Sequence, residues 1–182
     1  MNFTWIPFYK EFAEKLLQFQ TDRKKLLKLI YDNRATLLAD YLHDEGGKDD
    51  LFTDIDPFTT FGIFNRGVKK ENRIRSAELF KDLLNMSANV PEDFVGIPIL
   101  NNQKSHFFGF RRDREDDDID NLWSLFVKVV KKENFEDEYN IVIRQYIIRV
   151  NITMALFWIR PEDFLAFDST NRAYLKEHYG VI

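Results

Sequence analysis

Cysteine is absent from this chain, which removes disulfides, thiolate metal sites and cysteine nucleophiles together. The absence suits a reducing compartment, and a cytoplasmic location is expected. Glycine and proline are scarce, at 7 and 5 residues of 182, which favours long helices over a β fold with many turns. The three histidines, His43, His106 and His178, lie far apart and form no H-x-x-x-H pair, so no metal site is expected. No run is long and apolar enough to span a membrane, and no signal-peptide pattern opens the chain. GxxxxGKS/T, GxSxG and HExxH are missing, so P-loop, α/β-hydrolase and zincin chemistry leave no trace. Neither an enzymatic activity nor a cofactor is expected of this domain.

Apolar residues make up 45% of the chain, and phenylalanine alone supplies 18. That is enough for one core, and the length fits one domain over 1–182. The net charge of −4 argues against a surface that coats DNA non-specifically, while a local basic face stays open.

Spacing predicts helices through most of the chain. Phe8, Phe12, Leu16 and Phe19 recur at helical intervals after Pro7. Thr21-Asp22 caps a second helix, with Leu26, Leu27, Ile30, Leu37, Leu38 and Tyr41 as its apolar stripe. Residues 43–56 form a polar loop whose paired glycines and charges suggest mobility. Asp56-Pro57 starts a short helix lined by Phe58, Phe61 and Phe64, and Gly67 is the expected left-handed stop. Lys69–Leu84 is a helix with a basic beginning that includes Arg73. Six carboxylates between Asp113 and Asp120 lead into a helix carrying Ile119, Leu122, Trp123, Phe126, Val129 and Val130. Tyr139, Val142, Ile143, Tyr146, Ile147 and Val150 continue at helical spacing, and Asp168-Ser169 caps a last helix ended by Gly180. The fold expected is mainly α, a single compact helical domain. An α+β variant stays open, with one or two short strands around 93–110 or 141–159.

Recognition-type residues concentrate between Val90 and Phe126. Three consecutive amides (Asn101, Asn102, Gln103) precede an aromatic cluster (Phe107, Phe108, Phe110) and three arginines (Arg111, Arg112, Arg114). Amides read base edges, arginines hold phosphates, and exposed aromatics stack on unpaired bases. The same phenylalanines equally suit a core, as does Trp158 among Met154, Leu156 and Ile159. Asn65-Arg66 reads either as a DNA contact or as a helix terminator, and Asn171-Arg172 is a further pair of the same kind. Asp116, Asp117 and Asp118 suit a helix start, with a metal-dependent nuclease as a minor alternative.

Four segments, DIDPFTTFGIFNRG (54–67), VPEDFVGIPILNNQKSHFFGF (90–110), DDIDNLWSLF (117–126) and NITMALFWIRPEDFLAFDSTNRAYL (151–175), carry a resemblance. In this order they resemble the region that precedes the AAA+ motor in McrB-type restriction GTPases of modification-dependent systems. The resemblance implies a DNA-recognition module, without motor or nuclease, that reads double-stranded DNA, often with a modified base such as a methylated one. It also implies two partners, the GTPase motor and the nuclease subunit. The residues expected to touch DNA are Asn65, Arg66, Asn101, Asn102, Gln103, Phe107, Phe108, Arg111, Arg112, Asn171 and Arg172. The competing expectation is a protein-interaction domain that docks a partner subunit of the same complex.

Overall fold

A computed structural model describes residues 3–102 and 105–181. The fold is mainly α. In chain order the helices are α1 (Trp5–Leu16), α2 (Arg23–Asp32), α3 (Arg34–Leu37), α4 (Pro57–Gly62), α5 (Lys70–Leu83), α6 (Asp118–Lys131), α7 (Glu136–Val142), α8 (Asn151–Ile159) and α9 (Ser169–Tyr179). No strand forms among the described residues; two isolated bridges, His43 with Leu51 and Arg66 with Leu100, are the β pairing described. None of the described helices is long and apolar enough to cross a membrane.

Short α4 is the centre of the packing. Asp56 caps it, accepting the Phe58 and Thr59 amides at 2.8 and 3.0 Å, and Pro57 occupies the first turn. Every residue of α4 is buried. Phe61 meets Phe12 of α1 edge-on at 4.8 Å, and Phe58 meets Phe126 of α6 at 5.5 Å. Trp158 of α8 lies 6.4 Å from Phe61 in a stacked arrangement and donates its indole N–H to Pro98 O at 2.9 Å. Such aromatic pairs add about 0.5–1.5 kcal/mol each beyond their area burial. Gly62 is required where it stands, because a Cβ there would lie 2.4 Å from the Ser105 carbonyl oxygen. One cluster of buried apolar side chains runs from Trp5 to Ala166, while α9 contributes no buried residue.

Three expected helix boundaries differ. The second helix breaks at Asn33, whose amide turns back onto Leu29 O at 2.9 Å, and ends at Leu38, which adopts a left-handed φ of 52°. Leu38 is therefore exposed instead of facing the core. Tertiary structure sets that stop, since the Arg66 guanidinium captures the Leu38 carbonyl. Gly67 is not among the left-handed residues, and α4 has already ended at Gly62. The helix expected through Tyr139 to Val150 stops at Val142, and 143–150 form successive turns before α8. The tetrapeptide Pro-Glu-Asp-Phe occurs at 91–94 and at 161–164; neither copy starts a helix, and the second makes a turn over 161–163. In both copies the phenylalanine lies beneath an arginine, Arg73 over Phe94 at 4.3 Å and Arg160 over Phe164 at 5.4 Å.

Candidate functional site

The residues expected to touch DNA do not share one face. Asn65 is fully buried. Its Oδ1 accepts from the Tyr9 hydroxyl at 2.5 Å and from Arg73 Nη2 at 2.8 Å, and its carbonyl accepts the Leu100 amide at 2.8 Å. Arg73, expected on a basic surface, is buried as well, and burial pulls its pKa down. Arg66 is buried over the Tyr41 ring at 4.2 Å, with its guanidinium on main-chain carbonyls. Phe107 and Phe108 are core residues, 1% exposed each, so packing and not stacking on a base is their role in this fold.

Five expected residues are exposed. Asn101 and Asn102 lie at the surface, and the Asn102 amide holds Gly67 O at 3.0 Å. Arg111 is exposed but engaged, 2.7 Å from Asp50 and 3.6 Å from the buried Asp44. Arg112 is exposed and lines a groove. On α9, Arg172 is exposed, while Asn171 is half-buried and donates to Ala166 O at 2.8 Å. Gln103 lies outside the described residues.

The groove has a volume of about 580 Å³, within the ~300–1,000 Å³ typical of ligand sites. Its first wall is the central stretch, with His106, Phe110, Arg112 and Asp113. Its second wall is the 145–151 connection between α7 and α8, with Tyr146 and Arg149 foremost. His106 donates Nδ1–H to Phe108 O at 2.6 Å, and burial lowers its pKa, so the ring is neutral at pH 7. Positive charge in the groove therefore comes from Arg112 and Arg149, set against Asp113. Flat aromatic surface beside two guanidinium groups is chemistry suited to a planar, anionic ligand.

Arg112 lines the groove on a stretch tied to the 43–51 loop, and its own Nε donates to Asp113 Oδ2 at 3.3 Å. Arg111 N–H donates to Asp44 Oδ1 at 2.7 Å, and Arg112 N–H donates to Glu45 Oε2 at 3.2 Å. Arg114 Nη1 faces Asp44 Oδ2 at 3.5 Å from above the Phe108 ring. The 43–51 loop thus braces the turn that carries Arg112. Asp116 and Asp117 are exposed, while Asp118 turns inward and accepts the Glu115 amide at 3.2 Å. The three carboxylates form no cluster, and no metal-binding group of three or more His, Cys, Asp or Glu occurs among the described residues.

Tyr146 and Arg149 escaped the sequence reading because helical spacing over 139–150 hid a break. Tyr146 is 61% exposed, unusual for a large ring within an apolar series.

Fold and groove together define the chain as a mainly α-helical domain with an aromatic and arginine-lined groove. A family model matches residues 5–182, and the chain belongs to that family, described as a domain of unknown function (DUF8425). Neither a curated protein nor a solved structure matches it.

Proposed function

We propose that this domain recognises double-stranded DNA for a McrB-type restriction GTPase, at a modified or specific site, and that the groove is its contact point. The observation carrying this reading is the pairing of Arg112 and Phe110 with Tyr146 and Arg149 around one cavity. Guanidinium groups neutralise phosphates, and an aromatic wall accepts a base face. The four-segment resemblance supports the assignment to a restriction system. Its partners are then the AAA+ motor and the nuclease subunit, and its setting is the cytoplasm. Exposed Asn101, Asn102 and Arg172 are secondary candidates for contact along the duplex.

The test is fluorescence-anisotropy titration of short duplexes, unmodified or carrying 5-methylcytosine, 5-hydroxymethylcytosine or N6-methyladenine, over a salt series. Salt-sensitive binding with a preference among these is expected. Absence of binding to every duplex at low salt would overturn the reading for this domain.

A second reading, docking of a partner subunit, draws on α9. This helix buries no residue and leaves Tyr174 and Tyr179 53% and 67% exposed. It predicts that a purified partner subunit binds without DNA and that polar substitutions on α9 abolish the complex.

A further inference from the structure

Residues 143–150 stand in a conformation that their own sequence disfavours. Ile143, Tyr146, Ile147 and Val150 follow the i, i+3, i+4, i+7 rule, and neither glycine nor proline interrupts them. The same stripe begins upstream at Tyr139 and Val142 and continues into α8 through Met154 and Trp158. The apolar spacing thus favours one helix over 136–159, about 36 Å long at ~1.5 Å per residue. The chain instead makes turns in which Ile147 and Arg149 have φ of 76° and 42°. A left-handed β-branched residue is strained, and strain of this kind gathers at ligand sites and switches.

The cost extends to the side chains. Ile143, Tyr146 and Val150 are 39%, 61% and 37% exposed. Gln145 donates to Asp118 O at 3.1 Å, yet its Oε1 is buried with no hydrogen-bond partner. Ile148, buried among the core residues, is the apolar anchor of the segment. A conflict between local preference and observed structure, confined to one short segment, is expected at functional or strained sites.

This segment also forms the second wall of the groove, with Gln145, Tyr146, Ile147, Arg149, Val150 and Asn151. We infer that 143–150 is a switchable strap. It exchanges between the turned form, which builds the groove, and a helical form joined to α8, which dismantles that wall. A ligand in the groove selects the turned form, because that form alone presents Tyr146 and Arg149 to it. The ligand's part rests on the groove being the DNA contact; the exchange itself does not.

The cysteine-free sequence makes spin labelling site-specific. Labels on Glu78→Cys, on the exposed side of α5, and Arg144→Cys, in the strap, report their separation by pulsed dipolar spectroscopy in the full chain. Two distance populations are expected without DNA. Ile147→Gly, which removes the left-handed penalty and weakens the helix, should raise the turned-to-helical ratio roughly tenfold or more. Ile147→Ala should shift the ratio the other way. A single distance distribution, unchanged in both variants, would overturn the strap. A duplex bound by anisotropy should collapse the wild-type distribution onto the turned distance. A bound duplex that leaves the distribution unchanged would overturn the ligand's part. Failure of every duplex to bind counts against the DNA reading, and the DNA-free comparison still decides the exchange.

Discussion

Arg111 Nη2 lies 2.7 Å from Asp50 Oδ1, and that ion pair separates the roles of two adjacent arginines. Arg111 fastens the 43–51 loop to the central stretch, whereas Arg112, one residue on, lines the groove. The Asp50 carboxylate is held below its usual pKa range, first by Arg111 and then by the Gly46 amide. Both side chains of the pair are solvated, so the effect on global stability is small. Arg111→Ala should speed amide exchange across 43–51 and leave exchange in α4 and α6 unchanged. Equal acceleration in α4 would show that the loop is coupled to the whole core.

Asn65 is predicted to matter for stability. Asn65→Ala removes the acceptor shared by the Tyr9 hydroxyl and the buried Arg73 guanidinium. Stranding two buried donors, one of them charged, costs about 2–5 kcal/mol. Urea denaturation should show a loss of that size, and any fall in DNA binding should follow the unfolded fraction. A variant of native stability that no longer bound DNA would instead return Asn65 to the interface.

Gly62→Ala places a methyl group against the Ser105 backbone, which cannot move without shifting Phe107. The Phe107 amide is fixed on Thr59 Oγ1 at 2.8 Å, and its ring packs 6.1 Å from Trp158. Overpacking of this kind costs about 1–3 kcal/mol or more. A thermal melt should fall by several degrees, and an unchanged melting temperature would contradict the packing described around α4.

Asp56 gives stability a specific pH dependence. Burial pushes its pKa from 3.8 up to about 6, against the helix amides and the Thr59 hydroxyl that favour the charged form. The folded chain therefore binds this proton more tightly than the unfolded chain. The resulting stabilisation is complete below the unfolded value and is lost as pH rises through about 6. Asp56→Asn keeps an acceptor for the cap and removes the titration. Urea midpoints should show the wild type losing ~1–3 kcal/mol relative to the variant between pH 4 and pH 7. Parallel pH profiles would contradict a buried, titrating Asp56.

Much of the fold was legible because its signals are local. Asp56-Pro57 and Asp168-Ser169 are caps that act through their own next residues, and the stripe of α6 needs only its own spacing. The stop at Leu38 was hidden because it depends on Arg66, distant in sequence. The break after Val142 was hidden because the apolar period runs through it without a glycine. The candidate site was half legible. Residue type located the stretch carrying Phe110 and Arg112, but type cannot separate a surface arginine from buried Arg66 or Arg73. The second wall became visible only once Tyr146 and Arg149 were placed across from Arg112.

Binding of DNA in the proposed groove is tested by comparing wild type with Arg112→Ala/Arg149→Ala in anisotropy titrations across salt. Both side chains are exposed, so the melting temperature should hold. The double variant should show at least a tenfold loss of affinity and a salt slope reduced by about two, one for each phosphate contact removed. Wild-type affinity and slope in the double variant would contradict the proposal.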